Sequence, residues 1–321
     1  MRTRRRAQLG KNFRTMSNFI ELGKKIYDLK NPREAHRFAV FLARCCLHPQ
    51  RMNRLEKFFE QSELLTKVAE GYPFVYEQAT RAFFYYRSTF EERARLIEEH
   101  MQFLSARLNE NFMLKLYGDK KIELWRMPLD EILGEMRLVM CAESGQRKEG
   151  LAAIMFELSN EVPIYQILFW IARHENDWAM WIGAMQGPNV DDARELIKKI
   201  TKKCHAYRTK NLILYAAQTV ARNFGVKKIF AVTNEGYYAN NHVRRDRKLK
   251  TSFSDFWQEV GGIPTSDKRF YELPLIETRK TFEEIPSHKR AQYRRRFALL
   301  DELDATIDLT LKGFKNAACD I

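Results

Sequence analysis

The chain has 321 residues, with 55 Lys and Arg against 41 Asp and Glu for a net charge of +14, and it is 45% hydrophobic and 12% aromatic. Such a composition excludes wholesale disorder, and the length exceeds what one hydrophobic core usually organises. The charge calls for an anionic partner (nucleic acid, anionic envelope lipid or lipopolysaccharide, or a phosphate-bearing ligand) and carries no information about fold.

The N-terminus, MRTRRRAQLGKNFRTMSNFIELGKKIY, is basic, but no apolar run follows, so no secretory signal is expected. Residues 1–118 read as a helical region. In NPREAHRFAVFLARCCLH the side chains of Phe38, Phe41, Leu42 and Cys45 recur at three- and four-residue spacing on one face. STFEERARLIEEHMQFLSARL opens with Ser88 and Glu91 in capping-box spacing. From residue 119 to 284 the pattern is that of an α/β core. IELWRM, EMRLVMCAE, LAAIMFELS, PIYQILFWIARH and WAMWIGAMQG predict antiparallel strands. The most apolar of these, Pro163–Ala172, is far shorter than the roughly 20 residues of a membrane-spanning helix.

DDARELIKKITKKC and TKNLILYAAQTVARNFG predict helices, the second stopped by Gly225. KKIFAVTN predicts a buried strand beyond them, and a crossover should set Ile229–Val232 parallel to Trp181–Met185. DFWQEVGGIP is a short helix and RFYELPL a last strand. Residues 285–321 read as a basic-to-acidic C-terminal helix with an apolar stripe of Tyr293, Phe297, Leu300, Ile307 and Leu311. The expected fold class is therefore α+β: a helical N-terminal region, a mixed and mostly antiparallel sheet with a βαβ crossover, and a long C-terminal helix.

Three places gather chemistry. In the C-terminal helix Lys289, Arg290, Arg294, Arg295 and Arg296 crowd the N-terminal half, against the preference of the helix dipole and without acids at three- or four-residue spacing. Either an anionic ligand or acids from elsewhere in the fold should meet them. CHAYRTKN places His205, Arg208 and Lys210 at a helix N-terminus, where free N–H groups favour an anion. EGYYANNHVRRDRKLK follows the strand of the crossover and leaves the sheet at the same end. There Arg244, Arg245, Arg247, Lys248 and Lys250 are candidates to hold phosphate or carboxylate, and Tyr237, Tyr238, Asn240, Asn241 and His242 to orient what it is attached to. The alternative is a basic loop lying on the surface. Catalytic candidates are His242, Tyr237 and Tyr238, the histidine because its ordinary pKa suits a general base. The five cysteines, at 45, 46, 141, 204 and 319, contain no CxxC, so neither a disulfide framework nor a metal site is expected, and a reducing cytoplasm fits. Cys204 and His205 are adjacent in sequence, which does not make a nucleophile and base pair.

IGAMQGPN, YRTKNLILYAAQTVARNFGVKKIFAVTNEGYYANNHVRRDRKLKTSFSDFW, RFYELP and HKRAQYRRRFALLDELD resemble the VirK/YbjX family of enterobacterial proteins, over residues 31–311. The resemblance implies a role in virulence, antimicrobial-peptide resistance and the state of the Gram-negative envelope, and it supplies no catalytic residue. The order of elements is also similar to that of GNAT-type N-acyltransferases. That likeness implies coenzyme A or acyl-coenzyme A at the helix N-terminus, with Asn234 and Tyr237 or Tyr238 in the post-strand positions, although the usual Gly-x-Gly loop is absent. Three functions follow in order: a cytoplasmic transferase acting on an envelope precursor or peptide with a phosphate-bearing donor; a non-catalytic binder of anionic lipid or lipopolysaccharide, peripheral at the inner membrane face; and a nucleic-acid-binding protein.

Overall fold

The computed structural model describes residues 18–118, 120–142, 144–241 and 252–316. Residues 18–26 are helical (α1). They are followed by α2 (Pro32–Leu47), α3 (Pro49–Phe59), α4 (Glu63–Gly71), α5 (Phe74–Thr80), α6 (Phe90–Arg107) and α7 (Glu110–Leu116). Asn31 caps α2 by accepting from the Arg33 N–H, and Pro32 takes the first turn, where no donor is needed. Phe41 and Cys45 bury the face that the spacing predicted, with Phe38 and Leu42 half-buried beside them.

The capping box of α6 lies one residue later than expected. Thr89 accepts from the Glu92 N–H at 3.2 Å, and Glu92 Oε2 accepts from the Thr89 N–H at 2.7 Å. Ser88 is instead buried, with its hydroxyl donating to the Phe83 carbonyl at 2.6 Å. Two adjacent hydroxyl residues offered the same motif, and tertiary contacts to Phe83 removed one of them.

The sheet follows: β1 (Ile122–Asp130), β2 (Gly134–Cys141), β3 (Ala152–Leu158), β4 (Pro163–His174) and β5 (Asp177–Gln186) form an antiparallel meander. Then come α8 (Ala193–Lys203), α9 (Thr209–Phe224), β6 (Lys228–Val232), α10 (Phe253–Glu259), β7 (Ile263–Pro264), β8 (Phe270–Leu273) and α11 (Arg290–Lys312). The strand order is β1-β2-β3-β4-β5-β6-β8-β7. β6 runs parallel to β5 and antiparallel to β8, so it is an interior strand, with Ile229, Ala231 and Val232 fully buried. β3 is buried at every position and β4 at seven consecutive ones, as strands covered on both faces must be. α6 and α9 supply cover over β4, and α9 buries Leu212, Ala216 and Val220. Gly225 ends α9 at φ 73°, a left-handed conformation that glycine adopts without strain.

The crossover register differs from the expectation. Parallel pairs run from Ala179↔Lys228 to Ile182↔Ala231, and Gly183 is then a bulge residue, since Phe169 opposes Ile182 while Leu168 opposes Ala184. A Cβ at Gly183 would overlap the Glu149 carbonyl, so only glycine admits that close approach. Beyond the bulge β5 continues to Gln186 without pairing to β6.

His100 locks α6 to the sheet. Its Nδ1 accepts from the Ile171 N–H at 2.9 Å, so the ring proton sits on Nε2, 2.7 Å from the Tyr117 hydroxyl. Complete burial lowers its pKa from 6.5 to about 3. The unfolded chain therefore takes up a proton below about pH 6.5 that the folded one refuses. The contribution is complete above that pH and fades as pH falls toward the folded value, by about 1.4 kcal/mol per pH unit. Urea unfolding between pH 6.5 and 4.5 is expected to show that slope diminished by this amount in His100→Gln.

Candidate functional site

Three loops meet beyond the carboxyl ends of β5 and β6. The segment after β6 carries Tyr237, whose backbone bridges to Tyr85 in the loop between α5 and α6, while the Tyr86 N–H donates to the Gly236 carbonyl at 2.8 Å. The loop between β2 and β3 brings Glu149, which is 1% exposed. Tyr237 donates its phenolic proton to Glu149 Oε1 at 2.5 Å, and Gln186 at the end of β5 donates to Oε2. Burial, then the Glu149 charge and its hydrogen bond, with a smaller contribution from Tyr238, push the Tyr237 phenol well above its ordinary range. It is a neutral hydroxyl whose proton already points at a carboxylate. Tyr238 is buried edge-on against Phe83 with ring centroids 6.1 Å apart, so of the two tyrosines Tyr237 is the more accessible.

Asn234 and Asn240 serve the fold. Asn234 Oδ1 accepts from the Phe253 N–H at 2.7 Å and its Nδ2 donates to Ser252 Oγ at 2.8 Å, which fixes the start of α10. Asn240 Nδ2 donates to the carbonyls of Asn234 and Glu235 at 2.9 Å, closing its own turn. His242, Arg244, Arg245, Arg247, Lys248 and Lys250 lie outside the described residues.

At the N-terminus of α9, Arg208 is the capping residue and makes no side-chain cap. Arg208 pairs with Glu259 of α10, and Lys210 lies 3.3 Å from the other oxygen of the same carboxylate and 4.3 Å over the Phe256 ring. Two cations thus share one acid. Burial, and then the charges of Arg295 and Arg296, lower the pKa of His205, which weakens it as a cation for an anion. Its carbonyl and that of Ala206 instead accept from Arg296, 3.1 Å to Nη2 in each case. The basic half of α11 therefore lies against the turn that leads into α9.

Among the described residues none of Lys289, Arg290, Arg294, Arg295 and Arg296 forms an ion pair with an acid. Arg290 donates to the Ile285 carbonyl at 3.1 Å, and Arg294 sits 5.6 Å over the Phe282 ring. The acidic half of α11 is engaged elsewhere: Asp304 accepts from Tyr215 at 2.6 Å and from Arg222 at 2.9 Å. Burial pushes the Cys204 thiol up to about 12, which removes it as a nucleophile. Among the described residues no cluster of His, Cys, Asp and Glu is arranged to hold a metal ion, and no helix is long and apolar enough to cross a membrane.

This is a mixed α/β protein with a parallel crossover whose open end holds a buried carboxylate–phenol pair. The family model described as protein of unknown function (DUF535) matches residues 30–308, and the chain belongs to that family, the VirK/YbjX proteins. The uncharacterized protein YbjX of Escherichia coli K12 is 34% identical over 168 residues, which are 52% of this chain and 51% of the relative, so the match spans about half of that protein. An uncharacterized protein of Haemophilus influenzae is 25% identical over 80% of this chain and 83% of its own length. The protein named membrane protein LapB of Mannheimia haemolytica is 24% identical over 65% of this chain and 85% of its own. No solved structure matches.

Proposed function

We propose that the chain is a transferase of the N-acyltransferase kind, taking its acyl group from a phosphate-bearing donor such as acyl-coenzyme A and passing it to an amine beside Tyr237. The observation that carries this reading is the hydrogen-bonded pair of Glu149 and Tyr237 just beyond the carboxyl ends of the parallel strands β5 and β6, whose pairing ends at Ile182 and Ala231. Ligands of open α/β sheets gather at the carboxyl ends of strands. The uncapped N-terminus of α9, with Arg208 and Lys210, suits the donor's phosphates, which would take the place now held by Glu259. A bound donor would supply the thioester carbonyl. The chain's own part is proton transfer: as the amine nitrogen bonds to the acyl carbon, the Tyr237 oxygen receives the amine proton and its phenolic proton passes to Glu149, while the C–S bond breaks and the thiolate leaves to take a proton from solvent. The setting inferred from the family is the cytoplasmic side of the Gram-negative envelope, with an envelope precursor or peptide as acceptor and virulence and antimicrobial-peptide resistance as the affected properties.

Calorimetric titration with coenzyme A tests the reading. Arg208→Gln and Lys210→Gln are each expected to weaken binding about 10-fold, the loss of one charge-assisted hydrogen bond. Glu259→Gln is expected to tighten it, because the competing carboxylate is gone. Absence of binding, or indifference to all three changes, sinks the donor site. A second reading is favoured by Phe282, 38% exposed beneath Arg294 and near exposed Lys289, Arg290 and Arg295: a peripheral binder of anionic lipid or lipopolysaccharide. The name of the LapB relative is in keeping with it. Cosedimentation with phosphatidylglycerol vesicles but not phosphatidylcholine vesicles, together with no coenzyme A binding, would put that reading first. Nucleic-acid binding rests on net charge alone.

A further inference from the structure

Where β4, β5 and β8 meet α6, the fold leaves a half-open cavity of about 170 Å³, and neither Glu149 nor Tyr237 lines it. Its walls are aromatic. Trp170 and Trp181 are directly paired across β4 and β5, with ring planes 4° apart and centroids at 6.4 Å. Phe270 meets Trp181 edge-on at 4.9 Å and Tyr85 at 5.4 Å. Trp170 is fully buried. The indole N–H groups of both tryptophans are sequestered from solvent, and neither has a hydrogen-bond partner among the described residues. Both N–H groups are closed off from the cavity as well as from bulk solvent, so the cavity offers a ligand ring faces and the charged groups at its rim.

The charges around the cavity favour an anion. Arg95, Arg173 and Arg269 line it together with Glu92 and Asp267, one more guanidinium than carboxylate. Arg269 is held by Asp267 at 2.7 Å, and Glu92 is occupied by the Thr89 N–H and by Tyr85. Arg95 and Arg173 are exposed and have no carboxylate partner among the described residues; Arg173 lies 4.4 Å over the Trp178 ring. An aromatic cage by itself would favour a cation. Two guanidinium groups without a carboxylate partner among the described residues reverse that preference. A cavity of about 150 Å³ is enough for a benzene ring, so this one has room for a single ring and a small substituent.

We propose that this cavity binds a small planar ring bearing an oxyanion, either a ring carboxylate or a ring phosphate. The ring lies against Tyr85, Trp181 and Phe270, and Arg95 and Arg173 meet the oxyanion. The site is independent of the transfer reaction, and its failure would leave the Glu149–Tyr237 pair untouched. Calorimetry and tryptophan fluorescence of the full chain with benzoate and with phenyl phosphate test it, with acetate (the anion without the ring) and benzylammonium (the ring with a cation) as comparisons. One of the two ring oxyanions is expected to bind saturably at one site, at least about 10-fold more tightly than acetate or benzylammonium, and the tighter one identifies the head group. Arg95→Gln and Arg173→Gln, at exposed positions that leave the thermal unfolding unchanged, are each expected to weaken it about 10-fold, and Trp181→Phe to weaken it as well. Equal binding of acetate or benzylammonium, arginine variants that bind as the wild type does, or no saturable binding of either ring oxyanion would overturn the proposal.

Discussion

Glu149→Gln and Tyr237→Phe are each expected to lower the rate of thiol release from acyl-coenzyme A in the presence of primary-amine acceptors by about 10²–10⁴, the usual contribution of a positioned proton acceptor. The two changes should not add. Tyr237 holds the proton that Glu149 receives, so removing either breaks the same relay, and the double variant is expected to resemble the singles. A purely structural pair would behave differently. Glu149 accepts from both Tyr237 and Gln186, and a glutamine offers only one oxygen, so Glu149→Gln leaves one donor without its acceptor at a cost of about 1–3 kcal/mol in stability. Tyr237→Phe removes the hydroxyl while keeping the ring, and it separates the two roles. Turnover within about twofold of wild type in Tyr237→Phe, with coenzyme A binding intact, would dispose of the relay.

The crossover was legible because its signals are local. KKIFAVTN holds an unbroken apolar run at Ile229–Val232, and Gly225 ends the preceding helix in a conformation that the chain there requires. The bulge at Gly183 was not legible. It exists because the Glu149 carbonyl comes up against β5, a contact between separate loops and strands. For the same reason Glu149 was missed as a site residue: its partners are 37 and 88 positions away, and a lone acid before Gly150 in a loop reads as solvated. Arg208 and Lys210 were placed correctly at the start of α9, but their neutralising acid, Glu259, is 51 and 49 residues downstream. Periodicity reports which face a side chain occupies and says nothing of the distant group opposite. Glu77 was no more legible. In PFVYEQAT a carboxylate sits within a short, nearly wholly buried helix, where an acid persists only with partners.

Those partners make Glu77→Ala the largest expected loss of stability. Glu77 is 2% exposed, and Oε1 accepts from the Tyr27 hydroxyl at 2.9 Å and from Arg81 at 3.0 Å, while Arg147 Nε lies 3.3 Å from Oε2. Burial first, and then the Glu77 charge, raise the Tyr27 phenol far above its ordinary range, so it remains a neutral donor. Breaking a buried ion pair by deleting one partner costs about 3–5 kcal/mol, and the lower end applies because both arginines are about one quarter exposed. The loss should reach the transfer site. Arg147 belongs to the loop that carries Glu149, and the neighbouring Gln78 donates to the Arg147 carbonyl at 2.6 Å and the Gly150 carbonyl at 2.9 Å, so α5 braces both sides of Glu149. Urea unfolding is therefore expected to show Glu77→Ala less stable by about 3 kcal/mol, and Glu77→Gln, which keeps an acceptor for Tyr27, less affected. Hydrogen exchange at residues 146–151 should quicken in Glu77→Ala and Gln78→Ala before global unfolding. A loop that exchanges as in wild type, despite the loss of stability, would mean that Glu77 steadies the N-terminal helices alone and has no hold on Glu149.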